Sequence, residues 1–219
     1  MWCITKITKE FRRRMYRLLD LYSQPYDAEN PTICMDEKSK QLIADTRVPM
    51  SMQPGKPQKI DYEYKRNGTR NIFVAVEPLG GKHIIKVTKR RTRKDFAIFI
   101  KELVIKIYRQ AKKINLVLDN LNTHFPKSLY EAFPKEEADE ILGKVNFYYT
   151  PKHASWLNMA ELEISILEEE CIGTRIGLAK KLKEEIAAWE KEANKEKRKI
   201  EWKFTKRDAY RKMSHHYVA

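Results

Sequence analysis

Cysteine is scarce in this 219-residue chain: Cys3, Cys34 and Cys171 are odd in number, far apart, and never paired as C-x-x-C. That pattern indicates neither a disulfide framework nor a zinc site, and it fits a reducing cytoplasm. Glycine is limited to seven residues, none gathered into a phosphate-cradling loop. Long apolar runs are missing too. Stretches such as Phe96 to Ile100 meet a lysine at once, which excludes a membrane span. The first residues carry no apolar segment of signal-peptide type. No internal repeat and no constellation built on a nucleophilic Ser or Cys is visible. Acids are the minority charge, 30 Asp+Glu against 44 Lys+Arg, a net +14. Such an excess favours a polyanionic partner, most commonly nucleic acid, although lysine-rich surfaces on other proteins give the same balance. The length fits one domain, or a domain with an appendage.

Apolar spacing supplies the elements. Phe11, Met15, Leu18, Leu19 and Tyr22 form one stripe of a helix capped by Thr8 and stopped before Pro25, with Arg12, Arg13, Arg14 and Arg17 largely off that stripe. Thr32–Met35 reads as a strand ending on Asp36. Arg47 to Lys59, with three prolines, reads as an excursion outside the core. Asp61–Tyr64 and Asn71–Val76 are expected as strands joined by an Asn67-Gly68 hairpin turn, and Gly80-Gly81 turns into a further strand, His83–Val87. Lys82 to Lys94 then holds seven Lys/Arg and no acid; Lys86, Lys89, Arg90, Arg91 and Arg93 are its candidates for phosphate contact, with a plain solvated edge as the alternative. Thr92 can cap a helix from Arg93 to Gln110. Lys127 to Leu142 reads as a helix kinked or split at Pro134. Val145–Thr150 is a strand closed by Pro151, and Ser155 is expected to cap the helix that follows. Leu178 to Lys197 is a further helix, Ile200–Phe204 a short edge strand, and Thr205-x-x-Asp208 opens a last helix.

The chemistry centres on Ile114-Asn115-Leu116-Val117-Leu118-Asp119-Asn120-Leu121-Asn122-Thr123-His124. A short apolar run is what a strand buried on both faces looks like, although a short helix also fits. It stops on a carboxylate, and open sheets flanked by helices hold ligands beyond the carboxyl ends of their strands. Taken alone, Asp119-Asn120 is more often the mere opening of a turn. Asp36 ends an earlier strand, and Glu161 lies on the helix after the last one. At about 100° per residue, Asn158 shares the side of Glu161 while Glu163 points nearly opposite. Three carboxylates drawn together repel unless a divalent metal neutralises them, and hard oxygen ligands select Mg²⁺ or Mn²⁺. Two such ions suit in-line phosphodiester displacement.

Four segments carry a family resemblance: Cys34-Met35-Asp36-Glu37-Lys38; Asp61-Tyr62-Glu63-Tyr64-x-x-Asn67-Gly68-Thr69; Leu118 to His124; and Tyr149-Thr150-Pro151-Lys152-His153-x-Ser155-Trp156-Leu157-Asn158-Met159-Ala160-Glu161. They resemble bacterial insertion-sequence transposases of the mariner superfamily, the DDE superendonuclease type, from Trp2-Cys3-Ile4 almost to the C-terminus. The resemblance implies a ribonuclease-H-like (retroviral-integrase-like) α/β fold, a mixed five-stranded sheet flanked by helices. It places the DDE triad on Asp36, Asp119 and Glu161. The implied activity is Mg²⁺-dependent cleavage at transposon ends (Mn²⁺ substituting, two ions per site), followed by strand transfer into target DNA. A homodimer assembled on DNA, in the cytoplasm of a prokaryote, is implied with it. Asn120, His124 and Asn158 are auxiliary candidates, and Lys152 and His153 join the basic patch as DNA contacts. The expected organisation is a linker helix over 1–30, a catalytic domain over 31–172 and a helical extension over 173–219 packed on it. Two departures from the family stand out. Helix-turn-helix modules are expected upstream of this start, and Ile166-Leu167-Glu168-Glu169-Glu170 is unusually acidic for DNA contact. A DNA-binding remnant without activity, or a nuclease for RNA–DNA hybrids, are the competing expectations.

Overall fold

Val, Ile, Phe and Leu dense enough to be buried on both faces make the middle of one mixed sheet, described by a computed structural model over residues 6–121 and 123–218. The expectations placed on Trp2-Cys3-Ile4 and Asn122 lie outside the described residues. Strands β1 (Thr32–Asp45), β2 (Tyr64–Glu77), β3 (Lys82–Thr88), β4 (Ile114–Leu118) and β5 (Val145–Tyr149) lie in the order β3-β2-β1-β4-β5. The first three form an antiparallel meander, while β4 runs parallel to β1 and β5 parallel to β4. Parallel neighbours need crossover connections, here supplied by helices.

Two strand expectations need correction. Asp36 does not end β1; the strand runs on to Asp45, paired to β2 throughout. Only its parallel partner stops early, because β4 meets β1 over Thr32 to Cys34. Asn67-Gly68 is not a hairpin turn but lies inside β2, where the register with β1 slips between Gln41 and Ile43. Gly68 sits at φ +87°, the left-handed conformation a bulge needs and only glycine adopts freely. The residues from Tyr64 to Val76 are therefore one bulged strand, and Asp61–Glu63, expected to be part of a strand, are irregular. The chain between β1 and β2 makes an exposed excursion, joined to itself by bridges at Met50–Lys59 and Gln53–Lys56.

Helix α1 (Lys9–Tyr22) starts at Thr8, whose hydroxyl accepts from the Phe11 amide. Helix α2 (Arg93–Lys101) opens on a reciprocal Thr92/Asp95 capping box and continues as a wider turn through Ile107. The helical stretch after β4 is split at Phe133-Pro134 into α3 (Lys127–Ala132) and α4 (Lys135–Gly143), as a proline without an amide proton requires. Helix α5 spans Ala160–Leu167, α6 Ala179–Glu196 and α7 Lys206–Met213, the last opened by the Thr205/Asp208 box. Ser155 caps nothing: it lies in a short 3₁₀ turn, and α5 begins five residues later. Ile200–Phe204 is irregular rather than a strand.

Alternation along the strands divides the core. One face carries Ile33, Met35, Phe73, Leu116 and Leu118 under α2, α3 and α4. The other carries Cys34, Val76 and Val117 against α1 and the start of α5, continued by Leu42, Ile72 and Val74 against α6. Helix α1, read as a linker, thus buries Met15, Leu18 and Leu19 in the same core as the sheet. Among the described residues, no helix is long and apolar enough to cross a membrane.

Candidate active site

Register does the first part of the work. Cys34 of β1 pairs with Val117 of β4, both pointing to the α1/α5 face. Two residues on, the period-2 alternation returns each strand to that face, at Asp36 and at Asp119. β4 has ended at Leu118 by then, and the two carboxyls are near enough for the Asp119 charge to raise Asp36. Helix α5 brings Glu161 over the same face. Its entry is fixed by Asn158, which is buried and donates to the Met35 carbonyl at 2.8 Å and to Asp36 Oδ2 at 3.5 Å, while accepting from the Ala160 amide. The side chain that opens α5 therefore also holds it against β1 beside Asp36.

The electrostatics match this crowding. Burial pushes the Asp36 carboxyl up to about 7; the Glu37 amide, which donates to Oδ1 at 2.7 Å, opposes this, and the charges of Asp119 and Glu161 add to it. Asp119 moves the other way. Burial would raise it, but the hydrogen bond and charge of His124, with help from the Leu121 amide and Arg91, hold it below the ordinary aspartate value.

His124 is fully buried between two acids, Nδ1 at 2.6 Å from Asp119 Oδ1 and Nε2 at 3.1 Å from Glu37 Oε1. Burial alone would depress this histidine, yet its hydrogen bonds to Asp119 and Glu37 push it up to about 9. At neutral pH it is an imidazolium donating from both ring nitrogens. Phe96 packs against its ring at 4.9 Å between centroids, and Tyr149 donates to its carbonyl at 2.8 Å. Asn120 is a tie between elements: its amide donates to the Thr150 carbonyl at 2.5 Å and its oxygen accepts from Arg14 of α1 at 2.6 Å.

The donor set has the chemistry of a hard divalent cation. It offers carboxylate oxygens, one of them on an acid that burial and two neighbouring carboxylates keep from ionising easily. Among the described residues, Asp119 accepts two hydrogen bonds, from the Leu121 amide and from His124, both on Oδ1. No three His, Cys, Asp or Glu among the described residues are drawn together tightly enough to hold an ion as they stand. The site is a set of converging acids, not a closed cage.

The profile of the DDE superfamily endonucleases matches residues 31–183, well over half of the chain. This chain belongs to the DDE superfamily endonucleases. Its fold is also that of the Mos1 mariner paired end complex with Mn, at TM-score 0.56 and 14% identity over 88% of this chain and 58% of that one. The mariner Mos1 paired end complex with Mg gives TM-score 0.57 and 14% identity over 92% and 60%. The Mos1 Strand Transfer Complex gives 0.55 and 14% over 86% and 55%. At that identity the likeness is one of fold, the ribonuclease-H-like mixed sheet, and this chain spans less than two thirds of those chains. The sequence matches no curated protein.

Within this DDE endonuclease the basic candidates separate. Lys86 is ion-paired with Glu102 and Arg93 with Glu131, and Lys86, opposite Phe73, stands on the α2 face rather than the face of Asp36. No ion pair among the described residues holds Lys89, Arg90 or Arg91, all exposed at the end of β3. Lys152 and His153 are exposed and line a depression of about 500 Å³ with Arg14, Phe11 and Asn120; His153 has φ +62°. The acids after α5 are partly engaged inside the molecule, Glu168 with Lys38 and Glu170 with Trp189 and Arg198. Trp156, 38% exposed, stacks on Trp202 and meets Phe204 edge-on.

The sequence marks Glu37 as a runner-up carboxylate and Arg14 as a possible phosphate contact, but it does not show Glu37 as the partner of His124 or Arg14 as that of Asn120. Alternation carried a signal for Glu37, since it must face opposite Asp36, towards α2. Arg14 carried none, because its partner Asn120 is 106 residues away.

Proposed function

We propose that this DDE superfamily endonuclease is the catalytic core of a transposase, with Asp36, Asp119 and Glu161 as the acids that hold Mg²⁺, or Mn²⁺ in its place, two ions per site. The observation that supports the reading is the β1–β4 register, in which Cys34 lies opposite Val117, two residues before Asp36 and Asp119 in their strands' direction. Metal bound there would supply Lewis acidity and neutralise charge during in-line phosphodiester displacement.

The chain's own residues have separable tasks. Asp36 would hold the ion as a carboxylate, its proton released to solvent. His124 donates to Asp119 Oδ1, and its positive charge is balanced by Glu37. Asn158 keeps α5 seated so that Glu161 completes the set. Lys89, Arg90 and Arg91 on one side, and Lys152 and His153 on the other, attract the DNA backbone. Two reactions follow on this reading: hydrolysis at a transposon end, which frees a 3′-OH, and attack of that hydroxyl on target DNA. A homodimer assembled on DNA would hold two ends together. The catalytic unit comprises the sheet and α2 to α5, with residues 173–219 packed on it as an extension.

The test is incubation of the protein and Mg²⁺ with a duplex bearing the element's terminal repeats, beside an RNA–DNA hybrid and an unrelated duplex. Metal-dependent nicking and joining of the repeat duplex, lost in Asp119→Asn, is expected. Cleavage confined to the hybrid, or salt-sensitive binding without any cleavage, would replace this reading.

A further inference from the structure

The end of the sheet remote from Asp36 holds a cavity of about 230 Å³. It opens where β1 and β4 begin, at the Thr32–Asn115 pair, four residues along β1 from the acids. Its walls include the rings of Tyr22, Tyr26 and Trp202, the first and last 5.2 Å apart between centroids. Two carboxylates line it, Glu77 and Asp27, and its lining includes no Lys, Arg or His. In a chain with 44 Lys+Arg, that composition sets this cavity apart from the rest of the surface.

Glu77 is the unusual group. It is 5% exposed, and its Oε2 accepts from the Tyr108 hydroxyl at 3.0 Å. No ion pair among the described residues reaches it. Lys82, directly opposite across the β2–β3 ladder, extends over the Tyr108 ring with Nζ 4.9 Å from its centroid. Asp27, by contrast, is exposed and satisfied locally by the Glu29 amide and the Asn30 side chain. A buried carboxylate neutralised by no cation is costly, and here it borders open space. The occupant that relieves it carries positive charge. It must also tolerate aromatic walls, which a strongly hydrated ammonium or Mg²⁺ does poorly. A planar, weakly hydrated cation that stacks on rings and donates two parallel hydrogen bonds fits both demands.

We propose that this cavity binds an alkylguanidinium group, its cation on Glu77 and its flat faces against the aromatic wall. The site is separate from the nuclease centre and independent of the transposase reading.

The test is a titration of the full chain with ethylguanidinium, followed through the Trp202 indole ¹H–¹⁵N resonance, assigned by its loss in Trp202→Phe. Ethylurea, the neutral isostere, and ethylammonium serve as parallel probes. A saturable shift with ethylguanidinium is expected, much weaker with the other two. Glu77→Gln should weaken binding by about tenfold or more, the scale of one charge-assisted hydrogen bond. Tyr108→Phe, which removes the phenol and keeps the carboxylate, should bind at least as tightly as the unmodified chain. Equal binding of ethylurea, no saturable shift, or undiminished binding by Glu77→Gln would overturn the proposal. Should Glu77→Gln fail to fold, loss of binding in Tyr108→Phe overturns it instead.

Discussion

At the scale of single residues, Asp36 and His124 shift in the same direction for opposite reasons, and both shifts are readable as stability. The folded chain keeps the Asp36 proton to about 7, whereas the unfolded chain releases it near the ordinary 3.8. The folded state therefore binds more protons between those values, and the metal-free protein should lose stability as pH rises from about 4 to 7. Melting temperatures across that range should fall without metal, recover with Mg²⁺, and show a flatter profile in Asp36→Asn. His124, raised from 6.5 to about 9, contributes stability that is complete below 6.5 and lost as pH passes through 9. Removing it strands Glu37, whose side chain is 3% exposed and whose Oε2 has no hydrogen-bond partner among the described residues. His124→Ala should cost about 3–5 kcal/mol in urea denaturation at pH 7, the scale of a broken buried ion pair; a loss under 1 kcal/mol would contradict the bridging role. Asp36 and Asp119 were legible because each closes an apolar run, and Glu161 because the segment that ends on it carries the family resemblance. The histidine's partner was not, since Glu37 meets it only when β1 and the turn after β4 fold together.

Among the elements, α5 is the one whose placement decides the site, and it is held from both sides. Asn158 ties its entry to β1. On its far face Glu163, 1% exposed, meets the buried His83 of β3 at 2.9 Å, with Arg198 at 3.8 Å. Glu163→Gln keeps the shape and removes the charge. It should lower stability by about 1–3 kcal/mol, and reduce cleavage further than Lys152→Ala does, because a rotated α5 misdirects Glu161. Parallel denaturation and cleavage assays check the two effects. Glu163 pointing away from Glu161 was legible from helical geometry alone. The start of α5 was not: Ser155 is a good cap by residue type, but the chain first makes a 3₁₀ turn so that Asn158 can reach the Met35 carbonyl. The bulge at Asn67-Gly68 misled for a similar reason. The dipeptide favours a positive φ, and a hairpin turn and a glycine bulge both require one; only the long pairing of β1 with β2 distinguishes them.

For the whole molecule, the +14 charge is spread unevenly. Many cations are matched locally, as Lys86, Arg93 and Lys101 are by Glu102, Glu131 and Glu137. Lys89, Arg90 and Arg91 stand outside such pairs at the end of β3, and Arg91 is near enough to help hold Asp119 charged. Replacing those three by alanine should flatten the salt dependence of DNA binding by roughly two to three units of log K against log salt. Replacing Lys86 should change it little. Fluorescence anisotropy at a series of salt concentrations separates the two. The helices and the apolar cores of the strands were readable from turns and periodicity, whereas the mixed five-stranded sheet came from the family resemblance and the use of each lysine depends on acids distant in sequence.

The central claim is that three distant acids share one metal centre. Mn²⁺ titration followed by electron paramagnetic resonance tests it on the protein alone, before any DNA is added. The unmodified chain should bind Mn²⁺ saturably, and Asp36→Asn, Asp119→Asn and Glu161→Gln should each weaken that binding by about tenfold or more while remaining folded. Three folded variants that bind Mn²⁺ as the unmodified chain does would contradict it.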